Sequence, residues 1–332
     1  MKVHFLIDAG LCSIPGGHQV RLEKTAAALR HLKGTRVSVG YADEPLPNAT
    51  DVVHWFGARA IDTRPVRRAR IPIAYSTIYC PRSYRHSTHT ACPFARTRRD
   101  IRLFLSLAAR LSTGQLLQTC RDLSERELAL AQALEAIDVL PPNGPGEAED
   151  LKRDFPLTTP MYLVPNAVNA EAFLTRSTNE DRSVDVLYVA RFEPHKNQLG
   201  LVRALHKTGL GLVLAGPDHP HHPTYRVRCR RAAHGLTVDF LPAIPDDELP
   251  DLYAKSKVHA LPSWYATAGL SSFEAAAAGS QVVTMSRGHA DDYLGRLPFL
   301  AACATRVRTS RLDRPAARVF ARPPAQRSTS RG

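Results

Sequence analysis

The sequence predicts an α/β protein built from two doubly wound parallel sheets. Short apolar runs alternate with stretches of helical period, a pattern typical of parallel strands covered by helices on both faces. The alternation occurs in two successive blocks, and 332 residues are enough for two domains of ordinary size. No apolar run reaches the roughly 18 residues of a membrane-spanning helix.

The first block opens with a strand, a glycine loop and a helix. The strand over 3–7 leads to Gly16 and Gly17, and a helical pattern follows over 18–32. Together they form the first unit of a doubly wound sheet. Further strands are predicted over 37–39, 52–56, 71–75, 137–140 and 161–164, and helices over 98–112 and 122–136.

The second block repeats the alternation more regularly. Its strands are predicted near 184–190, 212–215, 238–241, 257–261 and 281–284, and its helices near 197–208, 223–234, 247–255 and 270–278. The predicted organisation is a first domain over 1–165, a linker over 166–183, an incomplete second domain over 184–295 and a disordered tail over 296–332.

The formal charge of +13 is concentrated near the end of the chain. Residues 302–332 contain eight Arg and one Asp, a net charge of +7 that leaves +6 for the rest. Such a segment buries too little apolar surface to fold, so it is either a natural disordered tail or out-of-frame translation. The charge fits a mildly basic enzyme or attraction to an anionic membrane surface. No nucleic-acid partner is expected, because zinc-finger spacing, an aromatic RNA-binding pattern and basic-zipper heptads are all missing.

The cysteines and clustered histidines give no firm metal site. Six cysteines without a C-x-x-C pair are typical of a reduced cytoplasmic protein, and the N-terminus resembles a strand more than a signal peptide. One group has zinc-compatible residue types but an unfamiliar spacing, so a basic acceptor-side loop is the alternative; it comprises Cys80, His86, His89 and Cys92. A second group follows the strand near 212–215 and suits adventitious metal binding; it comprises His219, His221 and His222.

The most informative chemistry lies where strands of the second block end. Arg191 follows an apolar strand and Lys196 stands at a helix start, so two cations share one loop, as a diphosphate requires. Further on, Gly269 and Leu270 open a helix whose N-terminus offers free N–H groups to a phosphate. Glu274, one turn inside that helix, can accept hydrogen bonds from a ribose diol.

At these positions the chain resembles the family 4 (group 1) retaining glycosyltransferases of the GT-B fold, in particular the bacterial surface-polysaccharide type. The matching residues are Arg191, Lys196-Asn197, Pro262-Ser263, Gly269-Leu270, Glu274-Ala275, Gly279 and Val282-Val283, and the resemblance extends over roughly residues 1–294. It implies two Rossmann-like domains facing a cleft and a nucleotide-diphosphate sugar as donor.

The resemblance also assigns roles to individual residues. Arg191 and Lys196 would be catalytic, because they would neutralise the leaving diphosphate without a metal or other cofactor. The second domain would bind the donor through Gly269, Leu270 and Glu274. The first domain would contribute the glycine loop at 16–17, although two glycines alone could equally form an ordinary tight turn. A dehydrogenase is excluded, because no G-x-G-x-x-G follows the first strand.

Two departures from the family pattern concern the region around the transferred sugar. The family carries a glutamate at the position of Ala266. In the first domain, many relatives have a histidine in the loop after the fourth strand, where this chain has 76–79, including Thr77 and Tyr79. These two residues and His54 are the candidates for the acceptor side, with a core histidine as the alternative for His54.

The sequence therefore predicts a retaining, metal-independent hexosyltransferase that acts on a carbohydrate or lipid-linked acceptor in cell-surface polysaccharide synthesis. A cytoplasmic location is expected, with peripheral membrane association as a possibility. The alternative is a catalytically impaired protein that binds a nucleotide or a partner, which Ala266 and the unusual tail favour.

Overall fold

The chain divides by its own contacts into two compact units, Met1–Ala167 and Val168–Gly332. A computed structural model of the protein describes residues 1–7, 17–42, 44–57, 62–77, 79–81, 128–175, 182–266, 269–285 and 288–294. Gly16, the predicted helix over 98–112 and the predicted tail over 296–332 lie outside these ranges.

A four-stranded parallel sheet forms the centre of the first unit. Its strands are β1 (Lys2–Ile7), β2 (Arg36–Tyr41), β3 (Val52–Gly57) and β4 (Ile73–Thr77), in the order β2-β1-β3-β4. The helices are α1 (Gly17–Arg30), α2 (Arg64–Arg68), α3 (128–135) and α4 (Pro145–Asp154).

The predicted strands over 137–140 and 161–164 are not regular strands. The first segment forms two isolated parallel bridges, from Val139 to Ala74 and from Leu140 to Met161, and the second segment takes part in the latter bridge alone. The physical reason is the proline that directly follows the first segment and the one that directly precedes the second, because proline has no N–H to continue a ladder.

The second unit contains a five-stranded parallel sheet in the order β7-β6-β5-β8-β9. The strands are β5 (Val184–Val189), β6 (Leu212–Ala215), β7 (Val238–Leu241), β8 (Ser256–Leu261) and β9 (Gln281–Thr284). The helices are α5 (Ala170–Leu174), α6 (Gln198–Ala204), α7 (Tyr225–Ala232), α8 (Leu249–Ala254), α9 (Leu270–Ala277) and α10 (Asp291–Leu294).

Strand β5 is buried on both faces because helices cover the sheet on either side. Val186 and Tyr188 face one hydrophobic cluster, which includes residues of α6 and α7. Leu187 faces the other, together with Phe173 of α5 and Tyr253 of α8. Within the stretch predicted as a linker, α5 therefore packs on the second unit.

Burial strongly lowers the pKa of one histidine in each sheet, His259 and His54. His259 of β8 is fully buried, with its ring edge-on to Tyr188 and Tyr253, and in the described structure neither ring nitrogen has a hydrogen-bond partner. Burial lowers the pKa of His259 to about 3. His54 lies in the middle of β3, stacked on Phe56 at 4.4 Å, and burial followed by the charge of Arg21 lowers its pKa to about 3.

These histidines predict a loss of stability in acid. Their pKa values lie below the value of about 6.5 in an unfolded chain, so only the unfolded state gains protons as the pH falls from about 6.5 towards 3. Each should lower the free energy of unfolding by about 1.4 kcal/mol per pH unit in that window.

Urea denaturation between pH 7 and 4.5 measures this slope. His259→Leu should reduce the change in the free energy of unfolding per pH unit by the contribution of one titrating group. The variant removes the buried imidazole while keeping an apolar side chain of similar volume. An identical slope in the wild type and the variant would contradict the assignment of His259 to this effect.

Candidate functional site

Arg191 and Lys196 lie in the loop that follows β5. A short 3-10 helix (Pro194–Lys196) forms the loop's end, and Asn197 then turns the chain into α6 with a left-handed backbone, φ 58°. The Arg191 Nη2 atom donates to the Glu193 Oε1 atom at 3.0 Å. The loop therefore carries two cations and one carboxylate within a few residues.

The charges of this loop influence one another strongly. Burial alone would raise the pKa of Glu193, but Lys196 and Arg191 lower it, and the net pKa lies below the usual range. Burial lowers the pKa of Lys196, and Glu193 opposes that shift. With Glu193 ionised and both cations charged, the three side chains carry a net charge of +1. The loop is thus suited to binding an anion.

Two hydrogen bonds join this loop directly to the segment that follows β8, and the Tyr188 hydroxyl of β5 bridges the two. The Asn197 Nδ2 atom donates to the Pro262 carbonyl at 3.1 Å, and the Trp264 N–H donates to the carbonyl of residue 195 at 3.0 Å. The Tyr188 hydroxyl donates to the Lys196 carbonyl at 2.9 Å and lies 3.1 Å from the Ser263 Oγ atom. The Lys-Asn and Pro-Ser motifs are therefore parts of one connected platform.

Sequence reasoning missed the role of Tyr188 in this platform. The signal was a polar hydroxyl near the end of a largely apolar strand, VDVLYV. Buried tyrosines usually need a hydrogen-bond partner for that group. The identity of the partners depends on how β5 and β8 pair, which the sequence does not state.

Gly269 occupies the turn that starts helix α9. Its φ is 63°, and a Cβ atom there would lie 2.7 Å from the Leu261 Cδ2 atom, so a side chain would strain both the backbone and the packing. Leu270 is the first residue of α9 and Glu274 the fifth. The helix start and the carboxylate thus lie as predicted, directly after the Pro-Ser platform.

Ala266, the position of the missing glutamate, is half-buried and packs against the hydrophobic cluster that contains Tyr188. Its carbonyl accepts the His289 N–H at 3.0 Å. Gly288 approaches so closely that a Cβ atom there would lie 2.2 Å from the Ala266 oxygen. The local backbone is thus well defined, although the side chain is only a methyl group.

In the first unit, two of the three acceptor-side candidates are engaged in buried contacts. Thr77 is 5% exposed and donates to the Glu147 Oε1 atom at 3.0 Å. Tyr79 is 2% exposed, and its hydroxyl donates to the Asp154 carboxylate. The prediction of a loop over 76–79 is wrong at its start, because Ser76 and Thr77 end strand β4.

His54, the third candidate, also makes internal contacts. Besides stacking on Phe56, its Nε2 atom lies 2.9 Å from the Ser76 Oγ atom. This geometry favours the core interpretation. Of the glycine pair, Gly17 begins helix α1, whereas Gly16 lies outside the described residues.

Glu147, in the first turn of α4, was not identified from the sequence. It is 1% exposed and accepts the Asn143 N–H at 2.7 Å as well as the Thr77 hydroxyl. Burial raises its pKa, although these hydrogen bonds and the charge of Arg21 oppose the shift. The signal was an acidic residue directly after the Pro-Gly start of a helix, which the helix dipole favours.

The possible metal groups remain without support. Within the described ranges, no cluster of three or more His, Cys, Asp or Glu side chains is arranged to hold a metal ion. Of the group with zinc-compatible residues, Cys80 is described, whereas His86, His89 and Cys92 are not. The helices of the described residues also include none that is both long and apolar enough to cross a membrane.

Residues 171–297 match the family model described as glycosyl transferases group 1. The matched region contains Arg191, Lys196, Gly269, Leu270 and Glu274. No curated protein shows significant sequence similarity to the chain.

Solved structures share the fold over 87% of the chain. Sucrose-phosphate synthase from Thermosynechococcus elongatus is 15% identical, with a TM-score of 0.63 over 87% of this chain and 82% of that chain. Anabaena Alr3699/HepE in complex with UDP-glucose is 17% identical, with a TM-score of 0.52 over 87% and 81%. WaaG, a glycosyltransferase involved in lipopolysaccharide biosynthesis, is 13% identical, with a TM-score of 0.52 over 87% and 82%.

The sequence comparison and the structural comparison cover different parts of the molecule. The family match covers most of the second unit, where the strand-end motifs lie. The structural matches extend over both units and confirm two Rossmann-like parallel-sheet domains. Most of the second unit therefore matches the family model for glycosyl transferases group 1, and the chain has the GT-B fold.

Proposed function

We propose that the protein transfers a sugar from a nucleotide-diphosphate sugar to a carbohydrate or lipid-linked acceptor, with retention of configuration. The observation that carries this proposal is the platform formed by Arg191, Glu193 and Lys196 with the Pro262-Ser263 segment. It places two cations at the carboxyl end of a parallel strand, where ligands of such sheets bind.

Each part of the platform has a task in this reaction. Arg191 and Lys196 neutralise the charge that develops on the diphosphate as the bond to the sugar breaks, which is where electrostatic stabilisation accelerates a reaction. The start of α9 offers backbone N–H groups to a phosphate, and Glu274 accepts hydrogen bonds from the ribose. The UDP-glucose complex of the HepE structure supports a nucleotide-sugar donor.

The wider setting of the reaction is also a proposal. The structural similarity to WaaG, a glycosyltransferase involved in lipopolysaccharide biosynthesis, supports a role in cell-surface polysaccharide synthesis. Acceptors of that kind are often held at a membrane, and the net charge of +13 would draw the protein to an anionic cytoplasmic surface.

Replacing both Arg191 and Lys196 by alanine should weaken nucleotide-diphosphate binding at least a hundredfold. Hydrogen bonds to charged groups are worth about 1.5–3 kcal/mol each, and about 1.4 kcal/mol corresponds to a tenfold change in affinity. Calorimetric titration with UDP, GDP and ADP measures the effect. The melting temperature must be followed as well, because the substitutions leave the buried Glu193 without these cations.

Arg203→Ala with Lys207→Ala is the matched control. Both are exposed cations of the same unit, so this variant loses the same charge away from the platform. Equal losses of affinity in the two double variants would show that only the overall charge matters, and unchanged affinity in the platform variant would refute the diphosphate role.

Turnover should not require a divalent metal ion. The sequence has no D-x-D motif, and the two cations supply the positive charge that a metal would otherwise bring to the diphosphate. Activity measured in excess EDTA should equal that in Mg²⁺ or Mn²⁺. Activity abolished by EDTA and restored by Mn²⁺ would contradict this part of the proposal.

The second candidate function is that of a catalytically impaired nucleotide-binding protein. Ala266 favours it, because the family places a carboxylate there beside the donor sugar and a methyl group cannot make that hydrogen bond. The diphosphate and ribose contacts do not depend on this position. Nucleotide binding and turnover can therefore be lost separately in this chain.

Ala266→Glu should raise turnover at least several-fold if the remaining site is intact. The added carboxylate restores the charge and hydrogen-bonding capacity of the family position. Ala266→Gln, which is similar in size but uncharged, is the control for a merely steric effect. Turnover is measured as nucleotide release from a panel of nucleotide sugars. Absence of turnover in the wild type and both variants, with nucleotide binding retained, would establish the second candidate instead.

A further inference from the structure

The carboxylate of Glu274 is held in place by a tyrosine from another helix. The Tyr253 hydroxyl of α8 donates to the Glu274 Oε2 atom at 3.1 Å. A glutamate side chain has three rotatable bonds, and restricting it costs up to about 2 kcal/mol of conformational entropy. A fixed donor that selects one rotamer in advance removes much of this cost from ligand binding.

Tyr253 is itself held firmly. Its side chain is fully buried, and its ring packs edge-on against Phe173 at 5.9 Å and His259 at 5.7 Å between ring centroids. Ser271 makes a side-chain hydrogen bond with its hydroxyl. Contacts from α5, β8 and α9 thus fix both the ring and the hydroxyl of Tyr253.

The hydroxyl also keeps its proton over the whole physiological range. Burial raises the pKa of Tyr253 well above its usual value, and the neighbouring charge of Glu274 raises it further. Tyr253 therefore acts as a hydrogen-bond donor to the carboxylate. An ionised carboxylate has about four acceptor positions, so it can accept hydrogen bonds from more than one donor.

We propose that Tyr253 is a positioning residue that presents the Glu274 carboxylate to the ribose of a bound nucleotide. The inference rests on the proposed function, because it assumes the ribose role of Glu274. Beyond that function, we infer that ribose recognition depends on Tyr253 through its bond to Glu274, without direct contact between Tyr253 and the nucleotide.

The test compares the affinities of a ribonucleoside diphosphate and its 2′-deoxy form. The probe is whichever of UDP, GDP and ADP binds the full-length protein, paired with the matching deoxynucleotide. The wild type should bind the 2′-deoxy form roughly tenfold to a hundredfold more weakly than the ribonucleotide, since the hydrogen bond from the ribose 2′-hydroxyl to the charged Glu274 is lost. Glu274→Ala should bring this ratio close to one.

Tyr253→Phe should reduce the ratio of ribonucleotide affinity to deoxynucleotide affinity at least threefold while Glu274 is still present. Tyr225→Phe is the matched control, because Tyr225 is another buried tyrosine of this unit whose hydroxyl accepts the Leu199 N–H at 3.2 Å. It should leave the ratio unchanged even if it lowers the melting temperature. A purely structural role of Tyr253 would alter stability and overall affinity but not the ratio.

Ser271→Ala provides a milder version of the same change. It removes one partner of the Tyr253 hydroxyl and should shift the ratio in the same direction by a smaller factor, so the proposal remains testable if Tyr253→Phe folds poorly. An unchanged ratio in both variants, or an equal shift in Tyr225→Phe, would overturn the positioning role. A wild type that binds no nucleotide diphosphate would instead refute the proposed function itself.

Discussion

The hydroxyl of Tyr188 is the interaction on which the candidate site depends most. It lies at the end of the central strand β5 and contacts the Lys196 carbonyl and the Ser263 side chain. Here the hydroxyl joins the loop after β5 to the segment after β8, so the two motifs share one rigid support.

Glu193 supplies the counter-charge for the two cations of this loop. Two cations in a partly buried loop would repel each other and pay for their desolvation without a counter-charge. Glu193 bonds to Arg191 directly, and Lys196 and Arg191 keep its pKa low. With both cations charged and Glu193 ionised, the remaining charge of +1 is attractive to an anion. A bound diphosphate would then complete a charge balance that the protein has already begun.

The sequence predicted the second sheet closely because its signals are local. The strands predicted over 212–215, 238–241 and 281–284 coincide with β6, β7 and β9. The contacts of Tyr188 and Tyr253 could not be predicted in this way, because their partners lie more than twenty positions away or across a strand pairing. The prediction of regular strands near 140 and 161 was wrong because neighbouring prolines interrupt the hydrogen-bond ladder that the local apolar pattern favours.

Ala266 departs from the glycosyltransferase pattern that the second unit resembles, while the residues proposed to bind the nucleotide match that pattern. The platform with Arg191 and Lys196 is complete, and Glu274 is held by Tyr253. Under the proposed function, Glu274 would hold the ribose in the ground state and the transition state alike, whereas a carboxylate beside the sugar would act where the bond is breaking. Contacts of the first kind determine affinity, and contacts made only in the transition state determine the rate of the chemical step. Ala266 is therefore expected to limit the rate while leaving nucleotide affinity intact, and affinity alone cannot distinguish an enzyme from a binding protein here.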